Sequence, residues 1–318
     1  MINRRQWLTA MAAAAAATAL PAWAQSRTTR LLVGATPGGG TDLVARSLAV
    51  AMEKPLASTV VVENRPGAAG NIAASAVAAA RGDASTLLLA YTSHAINASM
   101  MQLPFDPMAD FTPISLVATS PLLLIAGKHV PVSSLPELID YVKREKRELS
   151  VGIPGLGSAS QLAGAMLQHQ TGLTMINVPY KGASPAMQDL LGGQIDLMVS
   201  NLATARAFLA AGQVKAIAVT TRDRVAEYPT VAPVADVIPG FDFSSWYGLL
   251  GPADMPADTL AKLEGAAREA AGSERLRQQL SHEGLRPVGS DRAEFAAFLE
   301  VEAERFAAVV KATGLTMG

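Results

Sequence analysis

Arg30-Leu31-Leu32-Val33-Gly34-Ala35-Thr36-Pro37-Gly38-Gly39-Gly40-Thr41-Asp42 is the stretch whose reading decides the fold. Residues 30–35 make a short apolar run of strand length. Pro37 and three glycines end it. From 41 to 54 the apolar positions recur at helical spacing, so an amphipathic helix follows. Strand, glycines, helix is the opening of a βαβ unit. Glycine permits positive φ and close backbone approach. The helix start aims free N–H groups and partial positive charge at the loop. Gly38, Gly39, Gly40 and Thr41 are therefore candidate anion ligands that use no charged side chain. A tight strand-to-helix turn accounts for the glycines equally well. The spacing lacks the third glycine of GxGxxG and no GK[ST] follows, so no nucleotide fingerprint is present.

The same device recurs outward along the chain. Residues 59–63 and 87–91 read as strands, with the loop 65–70 and a helix over 73–80 between them. The stretch 115–126 is apolar and interrupted by Pro121; 135–147 is a charged helix. The pattern then restarts with a strand at 150–153, the loop Pro154-Gly155-Leu156-Gly157, and a helix over 159–170. Strands at 175–179, 195–200 and 215–220 alternate with helices at 184–191 and 203–211. An apolar segment at 244–251 precedes two closing helices, 256–271 and 291–311. This succession predicts parallel sheets and an α/β fold in two similar lobes. In the last helix Phe295, Phe298, Leu299, Phe306, Val309 and Val310 share one face, expected to be core.

Composition bounds the function. Half the residues are hydrophobic and 17% are charged, a globular composition. There is no cysteine, which removes disulfides, thiol redox chemistry and thiolate metal sites. Arg4 and Arg5, the apolar run 7–20 and Ala22-Trp23-Ala24 read as a cleavable export signal over 1–24, cut before Gln25. That run is short for spanning ~30 Å of hydrocarbon as an anchor. Asn3-Arg4-Arg5-Gln6-Trp7-Leu8 has some twin-arginine character, and the general secretory route fits as well. Removing that segment leaves 24 of the 26 basic residues against all 27 acidic ones, a net charge near −3. Such a chain carries no footprint for nucleic acid or anionic lipid.

Further candidate ligand groups stand at other strand ends. Gly157, Ser158 and Ser160 open the helix at 159, with Ser158 a possible N-cap. Ser184 with Pro185 reads as the start of the next helix. Tyr180, Ser93, Asn97 and Asn201 are weaker candidates for pocket hydrogen bonds. His94 serves a structural hydrogen bond as well as a ligand contact, and Lys181 reads equally as a solvated charge. Asp42 would repel a bound carboxylate, so it is expected to turn away or to meet a ligand ammonium; favourable charge in the helix's first turn accounts for it better. His94, His129, His169 and His282 lie in no metal-spaced cluster, and no G-x-S-x-G elbow occurs. Neither a catalytic set, a metal nor a cofactor is expected.

Several segments resemble one family in order: Pro37-Gly38-Gly39-Gly40-Thr41-Asp42 with Ala45-Arg46, Val62-Glu63-Asn64-Arg65-Pro66-Gly67-Ala68-Ala69-Gly70, Tyr180-Lys181-Gly182, Leu191-Gly192-Gly193-Gln194-Ile195-Asp196 and Trp246-Tyr247-Gly248-Leu249. The chain is similar over its mature length to the Bug-type receptors of tripartite tricarboxylate transporters. It departs from them at Gly34-Ala35-Thr36-Pro37, where an aromatic and two prolines are common, and at Gln161, where a histidine often follows the glycine-rich segment. The resemblance implies a two-lobed, type II periplasmic-binding-protein-like fold, each lobe a central mixed sheet flanked by helices. The lobes expected are 25–123 with 247–318, and 124–246. It implies a periplasmic monomer that closes like a flytrap on a small organic acid or amino acid and works with membrane transporter subunits. A sensory binding module and a two-lobed hydrolase are the alternatives.

Overall fold

β1 (Thr28–Val33) is built from TTRLLV and buries Leu31, Leu32 and Val33. The computed structural model describes residues 28–316; the export signal expected at 1–24 lies outside the described residues. The chain continues through α1 (Gly40–Leu56), β2 (Thr59–Asn64), α2 (Asn71–Ala78), β3 (Thr86–Tyr91), α3 (Ser93–Met100) and β4 (Phe111–Gly127). Then come α4 (Leu135–Glu145), β5 (Leu149–Ile153), α5 (Ala159–Thr171), β6 (Met175–Pro179), α6 (Ala183–Leu191), β7 (Leu197–Asn201), α7 (Leu202–Ala210) and β8 (Val214–Val219). β9 (Ser244–Pro252), α8 (Ala257–Gly272), α9 (Glu274–His282), β10 (Arg286–Pro287) and α10 (Arg292–Thr313) complete it.

The strands run in the order β2-β1-β3-β9-β4-β7-β5-β6, with β8 and β10 also on β4. β1 pairs parallel with β2 and β3, and β5 pairs parallel with β6 and β7. These are the expected βαβ units. The sheets are nevertheless mixed, because β9 lies antiparallel between β3 and β4. β4 joins the two halves. Its residues from Phe111 to Pro121 pair with β9, and from Leu122 to Ala126 with β7. Register shifts at Pro113/Ser115 and Leu116/Ala118 bend the strand.

Two helices were not foreseen. α3 occupies the polar segment read as a strand end, and buries Ala95 and Ile96. α9 buries Leu276 and Leu280, one turn apart on one face. α10 opens with a capping box between Asp291 and Glu294, which satisfies its first amides. Its buried face is the expected one: Phe295, Leu299 and Phe306 are at most 2% exposed. α10 lies against β4, α3 and α5, so it contacts both halves. It seats closely because Gly248 lacks a side chain: a Cβ there would stand 2.1 Å from Phe295 Cζ. Trp246 packs edge-on against Phe295 and Phe298. No described helix is long and apolar enough to cross a membrane.

Candidate functional site

The parallel strands of each half end on the same side, where open α/β sheets bind ligands. A cavity of about 590 Å³ opens there. From the first half come the β1–α1 loop (Thr36 to Gly40), Tyr247 of β9, and Glu283 and Leu285 beyond α9. From the second come Lys181 to Pro185, Asn201, Ala203 and Thr204. Ser120, at the point where β4 changes partners, forms the floor between them.

Three helices start at this cavity. Gly39 is the N-cap of α1, Gly182 of α6 and Asn201 of α7, and none of the three caps its helix with a side chain. Elsewhere α4, α5, α9 and α10 are capped by Ser134, Ser158, Ser273 and Asp291, while α2, α3 and α8 also lack a side-chain cap. A helix leaves its first amides without internal acceptors. Those of α1, α6 and α7 are left for water or for an anion, with the helix dipoles adding positive potential.

The glycine loop is shaped from behind by Asp42. Its carboxylate accepts from the Gly38 amide (2.9 Å), Arg46 Nε (2.9 Å) and Asn64 Nδ2 (2.9 Å). Burial works against its charge, but the bonds from Arg46, Gly38 and Asn64 outweigh this and hold the carboxyl below the usual range. The Asp42 carboxylate thus lies behind the loop, and Asp42 does not line the cavity. Gly38 sits at φ +83°, the left-handed region that favours glycine. Gly39 is extended (φ −86°, ψ 172°), and a Cβ on it would meet nothing nearer than Thr36 O at 3.8 Å. Tyr247 is buried; desolvation pushes its hydroxyl up to about 12, so it stays a neutral donor, bonded to the Thr41 hydroxyl.

The remaining candidates separate. Asn201 lines the cavity, its Oδ1 3.5 Å from Ser245 Oγ. Ser93 and Asn97 do not line it. Ser93 Oγ donates to Ala69 O (2.9 Å), and Asn97 Nδ2 to Ala69 O (3.2 Å) and Asn71 Oδ1 (3.0 Å). They brace a strained loop: Gly67, Ala68, Ala69 and Gly70 all have positive φ. That loop abuts the chain just after β1, since a Cβ on Gly34 would stand 2.4 Å from Gly70 Cα. Tyr180 donates its hydroxyl to Asp189 (2.7 Å).

Gly157, Ser158 and Ser160 lie at the α5 start, which is closed on itself. Ser158 Oγ accepts from the Gln161 amide, and Gln161 Oε1 accepts from the Gly157 amide (2.7 Å). They do not line the cavity, yet β5 is flanked by β7 and β6, whose loops do. The α5 start thus emerges on the same sheet edge, between the two. Ser184, Thr204, Ser120 and Tyr247 were missed. The sequence places Ser184 at the helix start as its cap, but α6 begins at Ala183 with Gly182 as N-cap, and Ser184 lines the cavity. Among the described residues no group of three His, Cys, Asp or Glu could hold a metal ion.

Two mixed half-sheets joined by a long strand, with uncapped helix starts facing one cleft, define a two-lobed solute-binding fold. The chain belongs to the tripartite tricarboxylate transporter receptor family, whose family model matches residues 44–315. It is 32% identical to the protein BugT of Bordetella pertussis, over 91% of this chain and 90% of that one. It is also similar to R. palustris Rpa4515, solved with adipate (31% identity, TM-score 0.83, covering 92% and 99% of the two chains). MatC of Rhodopseudomonas palustris, solved with bound malate, is 32% identical with TM-score 0.79, covering 90% of this chain and 99% of that one. The two solved relatives thus each hold a carboxylate, adipate in one and malate in the other.

Proposed function

We propose that this chain is a periplasmic receptor, exported by residues 1–24, that closes two lobes over a small carboxylate and delivers it to the membrane subunits of a tripartite tricarboxylate-type transporter. The observation that carries the reading is the convergence of three uncapped helix starts, from both halves, on one cleft. A carboxylate satisfies two or three such amides at once, which water in bulk does only weakly. The Gly38, Gly39, Gly40 and Thr41 segment holds it from one lobe; the Gly182–Pro185 and Asn201–Thr204 segments hold it from the other. At the α5 start, where Gln161 engages the Gly157 amide and the Ser158 hydroxyl, Ser160 extends the second wall once the lobes close. Lys181, exposed at the rim, gives a second anionic group a partner.

The lobes are 25–123 with 247–318, and 124–246. β4 is the natural hinge, because its pairing changes at Pro121 and its register is already irregular. Closure is favoured because ligand bridges segments of both lobes, and only the closed state makes both sets of contacts.

The test is a panel of mono-, di- and tricarboxylates, aromatic acids and amino acids, added to purified protein. A ligand at a hundred times its dissociation constant is expected to stabilise by ~2.7 kcal/mol, a rise of roughly 5 °C in melting temperature. Trp246 is the one tryptophan in 25–318, and its fluorescence is expected to change on closure. The ligand must be recovered unchanged. Turnover of a panel member, or no shift with any carboxylate, overturns the reading.

A further inference from the structure

The face of α1 turned away from the cleft lines a second set of cavities. Two of them, about 370 and 330 Å³, share Ser47, Val50, Arg275 and Gln279. Together they form one groove between α1 and α9. Its chemistry is uneven. Arg275 and Lys54 line it without an ion-pair partner among the described residues. Arg46 also lines it, already engaged by Asp42 and Asn64. The acids present are Glu269 and Asp42, and Asp42 is satisfied by its three donors. The Ser47 hydroxyl is buried in the wall with no hydrogen-bond partner, on a side chain 6% exposed. Beside these polar groups lies Val50, 49% exposed.

We infer that this groove is a second binding site, for a compact organic monoanion with one carboxylate on a short apolar body. The carboxylate is taken by Arg275, whose guanidinium presents paired donors to it, with Lys54 adding charge. The apolar body covers Val50, above the buried Ser47. Gly38 lines both this groove and the cleft, and the Asp42 carboxylate ties its amide to Arg46. Occupancy behind the loop therefore bears on the loop's front face.

Benzoate is the probe, titrated calorimetrically into the full chain carrying Gly39→Val, which weakens cleft binding roughly 150-fold. One site with a dissociation constant of about 1 mM or tighter is expected. Adding Arg275→Ala is expected to weaken it about tenfold or more with little change in melting temperature, because Arg275 is exposed. Val50→Asp, also at an exposed position, is expected to do the same by charge and lost apolar contact. No binding to the Gly39→Val protein, or binding indifferent to both added substitutions, overturns the site.

Discussion

Replacing Gly39 by valine isolates the backbone of the glycine loop from every side-chain effect. Gly39 is the N-cap of α1 at φ −86°, ψ 172°, a conformation valine adopts freely. Its Cβ would have no neighbour nearer than 3.8 Å, so no packing is disturbed. The folding cost is confined to a poorer N-cap, about 1 kcal/mol. The binding cost is larger. The isopropyl group occupies the cavity side of the loop, where a carboxylate oxygen must reach the Gly39, Gly40 and Thr41 amides. A hydrogen bond to a charged group is worth about 1.5–3 kcal/mol, so losing one or two costs about 3 kcal/mol. That is roughly a 150-fold rise in dissociation constant at 1.36 kcal/mol per tenfold. The assay is calorimetry with whichever acid the panel identifies, beside Gly39→Ala as an intermediate. An affinity within threefold of the unsubstituted protein refutes the helix-terminus account. So does a Gly39→Val protein that fails to fold.

Three further outcomes are expected. His94 is buried, bonded to Pro107 O and flanked by Phe105 and Phe111, and burial lowers its pKa from 6.5 to about 4. The unfolded chain takes a proton that the folded one refuses, so stability is full above about pH 6.5 and declines toward pH 4; urea titrations at pH 7 and 4.5 should differ by about 2–3 kcal/mol, and His94→Gln should flatten that difference. Gly248→Ala drives a methyl into the Phe295 ring, and should lower stability by about 1–3 kcal/mol in denaturant unfolding; an unchanged midpoint would show that α10 is not seated as described. Asp42→Asn sets an amide donor among the three donors that Asp42 now satisfies. It should lower stability by about 2 kcal/mol and weaken ligand binding, and binding unaffected would detach Asp42 from loop shape.

The fold was largely legible because its signals are local. Strand-length apolar runs, glycine turns and periodic helices place most elements of the α/β pattern within a few residues of their observed bounds. α3 was not legible, since eight residues are too few for periodicity to outweigh the polar Thr92, Ser93, His94 and Asn97. The antiparallel insertion of β9 between β3 and β4 depends on pairing over more than a hundred residues, which no local pattern encodes. The first wall of the site was legible in three glycines before a helix. The second wall was legible only at Asn201. Glycines at 155 and 157 drew attention to a start that Ser158 and Gln161 close on themselves, while the uncapped starts at Gly182 and Asn201 are known only once rotamers and strand order are. Ser93 and Asn97 are the right chemistry at a strand end, but the strained Ala69 turn consumes it.

The central claim, a carboxylate clasped by helix starts from both lobes, is tested most directly by a crystal structure with the acid that gives the largest thermal shift. The expected result is a closed cleft with carboxylate oxygens about 3 Å from amides of the Gly39–Thr41 start and of at least one start in 182–204. A ligand touching one lobe only, or seated away from the α1 start, would contradict it.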